Sequence, residues 1–204
     1  MAGRERDLER FLTFVDAIVA IAITLLVLPL ADVGSEIQDD DSVADVLREH
    51  VADIFGFLLS FVVIAQLWLA QHAILGGLVR QSAAVVRLLL AWTLTIVFLP
   101  FSTTLVAGAG DNALAKVLYI GTMAVSSALL TVLAWVIARK RSLRDTDAAP
   151  HPAQGAATTA TFVLALAITL IIPAASYWPL LLLLLADPVA RRVQRRRAAA
   201  SDSR

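Results

Sequence analysis

The feature that most constrains this chain is an apolar run close to its first residue. After Asp16, thirteen residues follow in which Thr24 is the only polar side chain. With its flanks, from Arg10 to Leu30, the run reaches the length of about 20 residues that a membrane-spanning helix needs. An ionisable group beside hydrocarbon is costly, so Asp16 is either functional or held by a fixed partner. Arg10, from a neighbouring helix or subunit, is one candidate for that partner.

The same helix carries a stripe of branched side chains. Ile21, Leu25 and Leu28 follow one another at the spacing i, i+4 and i+7, which places them on one face of a helix. If several copies of this helix surround an axis, the stripe lines a pore.

The composition identifies an integral membrane protein. Of the 204 residues, 59% are hydrophobic, too large a share for a soluble domain of this size. Charges of both signs are concentrated between the apolar runs, so the net charge of zero gives no reason to expect a nucleic-acid partner. The absence of Cys excludes disulfides, thiolate catalysis and Cys-based metal sites. We expect no cleaved signal peptide, because the mixed-charge first residues are not followed by a small-residue cleavage site.

The lengths of the apolar runs predict an all-α membrane protein with six transmembrane helices. The sixth run is short for a span, and Pro173 and Pro179 make it a tight hairpin with the fifth. We expect a six-helix transmembrane domain over residues 1–190 and a basic tail over residues 191–204. The predicted runs are about 11–31, 51–75, 85–107, 113–138, 156–175 and 177–190.

The basic residues predict the orientation of these helices. Of the 17 Lys and Arg residues, all except Arg48 and Lys116 fall in segments on one side. The positive-inside rule therefore places both termini in the cytoplasm, with the chain in a bacterial inner (plasma) membrane. The basic tail is either an anchor on anionic lipid or a regulatory or nucleic-acid-binding segment. The acidic outer loop, residues 32–50, is either solvated sequence or a means of concentrating cations at the outer face.

The second predicted helix carries polar groups at the depth of Asp16. Trp68 and His72 are four residues apart and share a face. This helix runs inward whereas the first runs outward, so both residues are candidates to pair with Asp16. Such residues act either as structural links between helices or as proton carriers.

Nothing in helices two to six indicates an enzyme. The sequence there has no Glu-x-x-His pair, no metal-ligand cluster and no activated Ser, so we expect no cofactor and no resident metal. The carbonyl filter sequence T-V-G-Y-G of ordinary potassium channels is also missing.

Three stretches together resemble the transmembrane protein 175 family of potassium channels. R-F-L-T-F-V-D-A-I-V-A-I-A-I-T-L-L-V-L is similar to the first-helix signature of that family, W-L-A-Q-H to its Trp-x-x-His-His, and L-P-F-S-T to its Pro-Phe-x-Thr. The resemblance implies a potassium-selective channel with K⁺ as the permeant ion. Single-repeat members are homotetramers, which implies four chains around one axis in the lipid bilayer.

The resemblance also implies roles for residues of the first helix. Ile21 matches the narrowest, hydrophobic constriction of the pore. Leu25 and Leu28 match apolar pore positions beyond it, and Thr24 matches the Thr beside it.

A second set matches the network that holds the first helix in place. Its members are Arg10, Phe14 and Asp16 on the first helix and Trp68 and His72 on the second.

The chain departs from the family pattern in this network. Val15 replaces a Ser, Gln71 replaces the first His of a pair, and Ala91 and Trp92 stand where an Asn is often found. Each departure removes a polar partner near Asp16, so we expect gating or stability to differ here. The alternative function is a secondary transporter or proton-conducting protein that uses Asp16 and His72, and a non-conducting helical scaffold is a third.

Overall fold

The described residues form an all-helical protein. A computed structural model describes residues 2–36, 42–80, 82–109, 112–143 and 152–171. The sixth predicted run and the basic tail lie outside these residues. The helices are α1 (Ala2–Leu25), α2 (Leu28–Glu36), α3 (Val43–Glu49), α4 (Val51–Leu75), α5 (Ala83–Gly108), α6 (Ala113–Arg139) and α7 (Pro152–Ile171), with a 3₁₀ turn at Arg141–Leu143.

Four segments within this part of the chain are long and apolar enough to cross a membrane. They are Arg6–Val33, Val51–Leu75, Ala83–Gly108 and Ala113–Arg139. They coincide with the first four predicted runs, and a shorter apolar helix, Gly155–Ile168, falls within the fifth. Helices suit this environment because hydrocarbon offers no partner for backbone N–H and C=O groups, which must pair within the segment. The chain is a multi-pass membrane protein.

Polar side chains set where two of the spans begin. The Ser82 hydroxyl accepts a hydrogen bond from the backbone N–H of Val85 at 3.3 Å. The Asn112 carbonyl oxygen accepts from the N–H groups of Leu114 and Ala115 at 2.9 and 3.4 Å. Both residues satisfy backbone donors that the first turn of a helix leaves unpaired.

Helices α5 and α6 form the centre of the packing. α6 lies against both α5 and α7, while α1 packs along α5 and contacts α4. Leu89, Ile96 and Leu99 of α5 are fully buried. The Val79 N–H donates to the Leu143 carbonyl at 2.9 Å, so the α4–α5 connection and the segment after α6 lie at the same end of the bundle.

A buried cluster of three hydroxyl groups joins α4, α5 and α6. The Ser60 hydroxyl lies 2.8 Å from Thr103 Oγ1 and 2.8 Å from the Tyr119 hydroxyl. All three side chains are buried. Because lipid tails provide no hydrophobic drive between helices, such bonds and close packing hold the helices together.

α5 continues through Pro100 as one helix. The hydroxyls that follow Pro100 pair with the local backbone. Ser102 and Thr103 donate to the Leu99 carbonyl at 3.0 and 2.8 Å, and Thr104 donates to the Pro100 carbonyl at 3.1 Å. A helical Ser or Thr reaches the carbonyl three or four residues before it, as these three do.

α6 and α7 approach closely around Thr159. Its hydroxyl lies 2.9 Å from Ser127 Oγ and 3.1 Å from Thr131 Oγ1, and it donates to the Gly155 carbonyl at 2.9 Å. A Cβ atom at Gly155 would lie 2.8 Å from Thr131 Oγ1. Only glycine therefore fits this position without a shift of the Thr131 side chain.

We predict that Gly155→Leu destabilises the protein by roughly 1–3 kcal/mol, the usual cost of overpacking a filled interior. The thermal unfolding midpoint in detergent should fall. Gly121→Leu is the control, because a Cβ at Gly121 meets no atom within 4 Å. Equal midpoints for the two variants would show that the α6–α7 contact is not close-packed.

Candidate functional site

α1 has two apolar faces with opposite surroundings. Val15, Val19 and Ala22 are 0%, 2% and 1% exposed and belong to the core. Val15, which we expected to weaken the polar network, therefore serves apolar packing.

The other face of α1 is left uncovered by the rest of this chain. It carries three of the residues singled out from the sequence, Phe14, Ile21 and Leu25, at 55%, 58% and 41% exposure. Leu28, at the start of the next helix after the turn, is 54% exposed. The spacing of the first three keeps them on a single stripe of α1. The stripe faces either lipid or further copies of the chain.

The first apolar run is broken once along its length. α1 ends at Leu25 and α2 begins at Leu28, with a turn between them. Pro29 explains the break, since it has no N–H to give to the carbonyl of Leu25. Thr24 lies on the uncovered side just before the break, and its hydroxyl donates to the Ile21 carbonyl at 2.8 Å.

Asp16 is hydrogen-bonded to one residue of α4 and lies close to a second. The Trp68 indole N–H donates to Asp16 Oδ1 at 3.0 Å, and His72 Nε2 lies 3.7 Å from Asp16 Oδ2. The rings of Trp68 and His72 are 4.3 Å apart between centroids, at 55° to each other. The structure thus brings together the three residues expected to meet at this depth. The Asp16 and His72 side chains are 36% and 46% exposed, so the cluster reaches the surface.

Arg10 takes no part in this cluster within one chain. Among the described residues no ion pair joins it to Asp16. Arg10 instead lines an open surface cleft of about 620 Å³ at the start of α1, with Arg6, Glu9, Thr13, Phe14 and Ala17.

The cluster ties α1 to α4 through the Trp68–Asp16 hydrogen bond. No group of three or more His, Asp or Glu residues within the described ranges could hold a metal ion. The chemistry available is a hydrogen-bonded carboxylate beside an imidazole.

Comparison with known proteins shows which family residues 10–100 resemble. Residues 10–100 match the family model described as the endosomal/lysosomal potassium channel TMEM175. This segment is similar to the TMEM175 family. The match contains α1 from Arg10 onward, the Asp16–Trp68–His72 cluster and most of α5, and the resemblance expected from the sequence is confirmed.

Two curated TMEM175 relatives are similar to about half of this chain. The human protein is 29% identical over 99 residues, 48% of this chain and 19% of its own length. The zebrafish (Danio rerio) protein is 27% identical over 112 residues, 54% of this chain and 21% of its own length. Both are named endosomal/lysosomal proton channels. The chain spans about a fifth of the length of the curated relatives it matches.

A solved structure extends the likeness to almost the whole chain. The crystal structure of a lysosomal potassium-selective channel TMEM175 homolog from Chamaesiphon minutus superposes with a TM-score of 0.71. The likeness covers 92% of this chain and 98% of that chain, at 24% sequence identity. At this identity the match establishes a shared fold.

We predict that Trp68→Phe lowers stability by about 1–2 kcal/mol. The substitution removes the donor to Asp16, and we take the lower part of the range for bonds to charged groups because the Asp16 side chain is partly exposed. The measurement is the thermal midpoint in detergent. Trp135→Phe on α6 is the control, since Trp135 is 47% exposed. A Trp68→Phe midpoint no lower than that of the control would argue against the bond.

Proposed function

We propose that this protein is a potassium-selective cation channel that conducts K⁺ across the membrane as a homotetramer. Four copies of α1 would line the pore, and the remaining helices, six spans in all, would form the outer wall. Both termini would lie in the cytoplasm. Support for an ion channel rather than an enzyme comes from the family match and the shared fold.

The observation that carries the proposal is the uncovered apolar stripe of α1. Its opposite face is buried within the chain, so the stripe is the surface left for contact with other copies. In a tetramer with α1 at the axis, Ile21 would form the narrowest ring. Thr24, Leu25 and Leu28 would line the pore beyond it, toward the outer side.

The physics of such a ring favours potassium modestly. Filling a narrow apolar neck with water is unfavourable, and a cation crosses the neck only by losing part of its hydration shell. Potassium holds that shell less tightly than sodium and so loses less. Because no carbonyl cage replaces the lost water, selectivity should be real but limited.

The Asp16 cluster would set the tilt of α1. The Trp68 hydrogen bond ties α1 to α4 at one depth, so a rotation of α1 about this point would move Ile21 toward or away from the axis. His72 is the titratable partner of Asp16, which offers a route for pH to act on the tilt.

We predict that Ile21→Ala increases cation flux into liposomes and lowers the preference for K⁺ over Na⁺, because a smaller side chain widens the neck. Flux of K⁺ and Na⁺ is measured for purified wild type and variant. Leu94→Ala is the matched control: Leu94 is a 68% exposed apolar residue on α5, away from the proposed pore. If Ile21→Ala and Leu94→Ala both conduct like wild type, the pore lies elsewhere.

One observation favours a second function. The curated relatives are named proton channels, and Asp16 and His72 form a titratable pair near the surface. A proton pathway or proton-coupled transporter would use these two groups directly. Proton flux that persists in Ile21→Ala but is lost in Asp16→Asn and His72→Ala would favour this alternative.

We predict a particle of four chains in detergent. Native mass spectrometry should give a protein mass of four times 21.9 kDa. The chain has no Cys, so Ala17→Cys on the uncovered side of α1 provides a single thiol, and oxidation should yield a covalent dimer. Leu94→Cys, at an exposed position of α5 outside the proposed pore helix, should not cross-link. A monomeric mass together with no cross-link at Ala17→Cys would contradict the arrangement.

A further inference from the structure

Two buried polar atoms stand out, one on α4 and one on α5. Gln71 and Trp92 are 1% and 0% exposed. Gln71 Oε1 and Trp92 Nε1 have no hydrogen-bond partner among the described residues. A buried polar group without a hydrogen-bond partner costs the free energy of removing it from water, so each of these two atoms requires an explanation.

The register of the two helices brings these residues to the same height in the bundle. Ser60 on α4 and Thr103 on α5 are 2.8 Å apart, and the early part of α4 therefore meets the late part of α5, as in an antiparallel pair. Gln71 follows Ser60 by eleven residues, and Trp92 precedes Thr103 by the same number. At 1.5 Å per residue both lie about 16 Å from the Ser60–Thr103 contact, in the same direction.

The helical period keeps both residues on the facing sides. Eleven residues are close to three full turns, so Gln71 lies on the same face as Ser60 and Trp92 on the same face as Thr103. The residues between them agree with this register. Ile64 and Leu67 on α4 and Ile96 and Leu99 on α5 are each at most 5% exposed.

The two atoms are chemically complementary. The amide oxygen of Gln71 accepts hydrogen bonds and the indole N–H of Trp92 donates one. Neither atom has a hydrogen-bond partner among the described residues, and a small molecule bound between them would satisfy both. A water molecule accepts from one group and donates to the other, and buried waters typically serve otherwise unsatisfied polar groups in this way. We propose that Gln71 and Trp92 bind one water molecule between α4 and α5.

This site would act as a positioning element for the Asp16 cluster. Gln71 is adjacent to His72 and three residues from Trp68 on α4. A water bridge at Gln71 resists rotation of α4 about its axis, and that rotation decides whether Trp68 reaches Asp16. The inference does not depend on the proposed conduction, since it is tested on stability and on the Trp92 signal.

The first test is a double-mutant cycle on the thermal midpoint in detergent. Gln71→Met and Trp92→Phe each leave one partner unsatisfied, so each should lower the midpoint, Gln71→Met by on the order of 2–4 °C. The double variant should lose less than the sum of the two. Gln71→His, which keeps a polar atom, should lose less than Gln71→Met, and Gln66→Met, at an exposed Gln of the same helix, should lose nothing. If Gln71→Met raises the midpoint, Oε1 is unpaired in the native protein and the proposal is wrong.

The second test observes the indole N–H itself. The chain has four Trp residues, so ¹⁵N labelling gives four indole signals, and Trp92 is assigned by its loss in Trp92→Phe or by elimination through Phe variants of the other three. In wild type this signal should show magnetisation transfer from a bound water, and it should shift in Gln71→Met but not in Gln66→Met. A Trp92 signal without transfer from water, or one unchanged in Gln71→Met, would overturn the proposal even if a variant fails to fold.

Discussion

A carboxylate beside hydrocarbon must be held by the protein, and this requirement governs how α1 is placed. Asp16 meets it through the indole of Trp68, with His72 next to it. Because successive residues of a helix point about 100° apart, fixing Asp16 toward α4 also fixes the other faces of α1. Val15 then enters the core and Phe14 is left uncovered. One hydrogen bond between helices thus selects which apolar stripe of α1 the rest of the chain leaves uncovered.

The other described spans are joined to one another differently. Hydroxyl pairs connect α4, α5 and α6 at Ser60 and connect α6 and α7 at Thr159. These bonds lie in buried or half-buried positions, where water does not compete, and glycine at position 155 allows close approach. α1 has a direct side-chain bond to α4 at Asp16 and otherwise relies on apolar packing. This difference suits the proposed channel, in which helices joined by hydroxyl pairs would form a rigid outer wall around an α1 that changes its tilt.

The sequence allowed the spans and part of the site to be predicted. Apolar length was sufficient for the first four spans, and the opposite directions of α1 and α4 were sufficient to bring Trp68 and His72 to Asp16. The water bridge proposed for Gln71 could not be predicted from the sequence, because it depends on which helices are neighbours and in which register they pack. The contact between Ser60 and Thr103 defines that register. A Ser or Thr in a sequence does not indicate which residue it will contact.

The placement of Asp16 and Ile21 on α1 bears on which ion the protein carries. Ile21 lies five residues beyond Asp16, about 7.5 Å along the helix and about 140° around it. Asp16 therefore faces α4 while Ile21 lies on the uncovered stripe. In the proposed tetramer, a proton passed between Asp16 and His72 would still have to cross the ring of Ile21 side chains, which offers no titratable group. The same separation would let the cluster alter the tilt of α1 without touching an ion in the pore. Both points favour the proposed cation conduction over proton transport through the cluster.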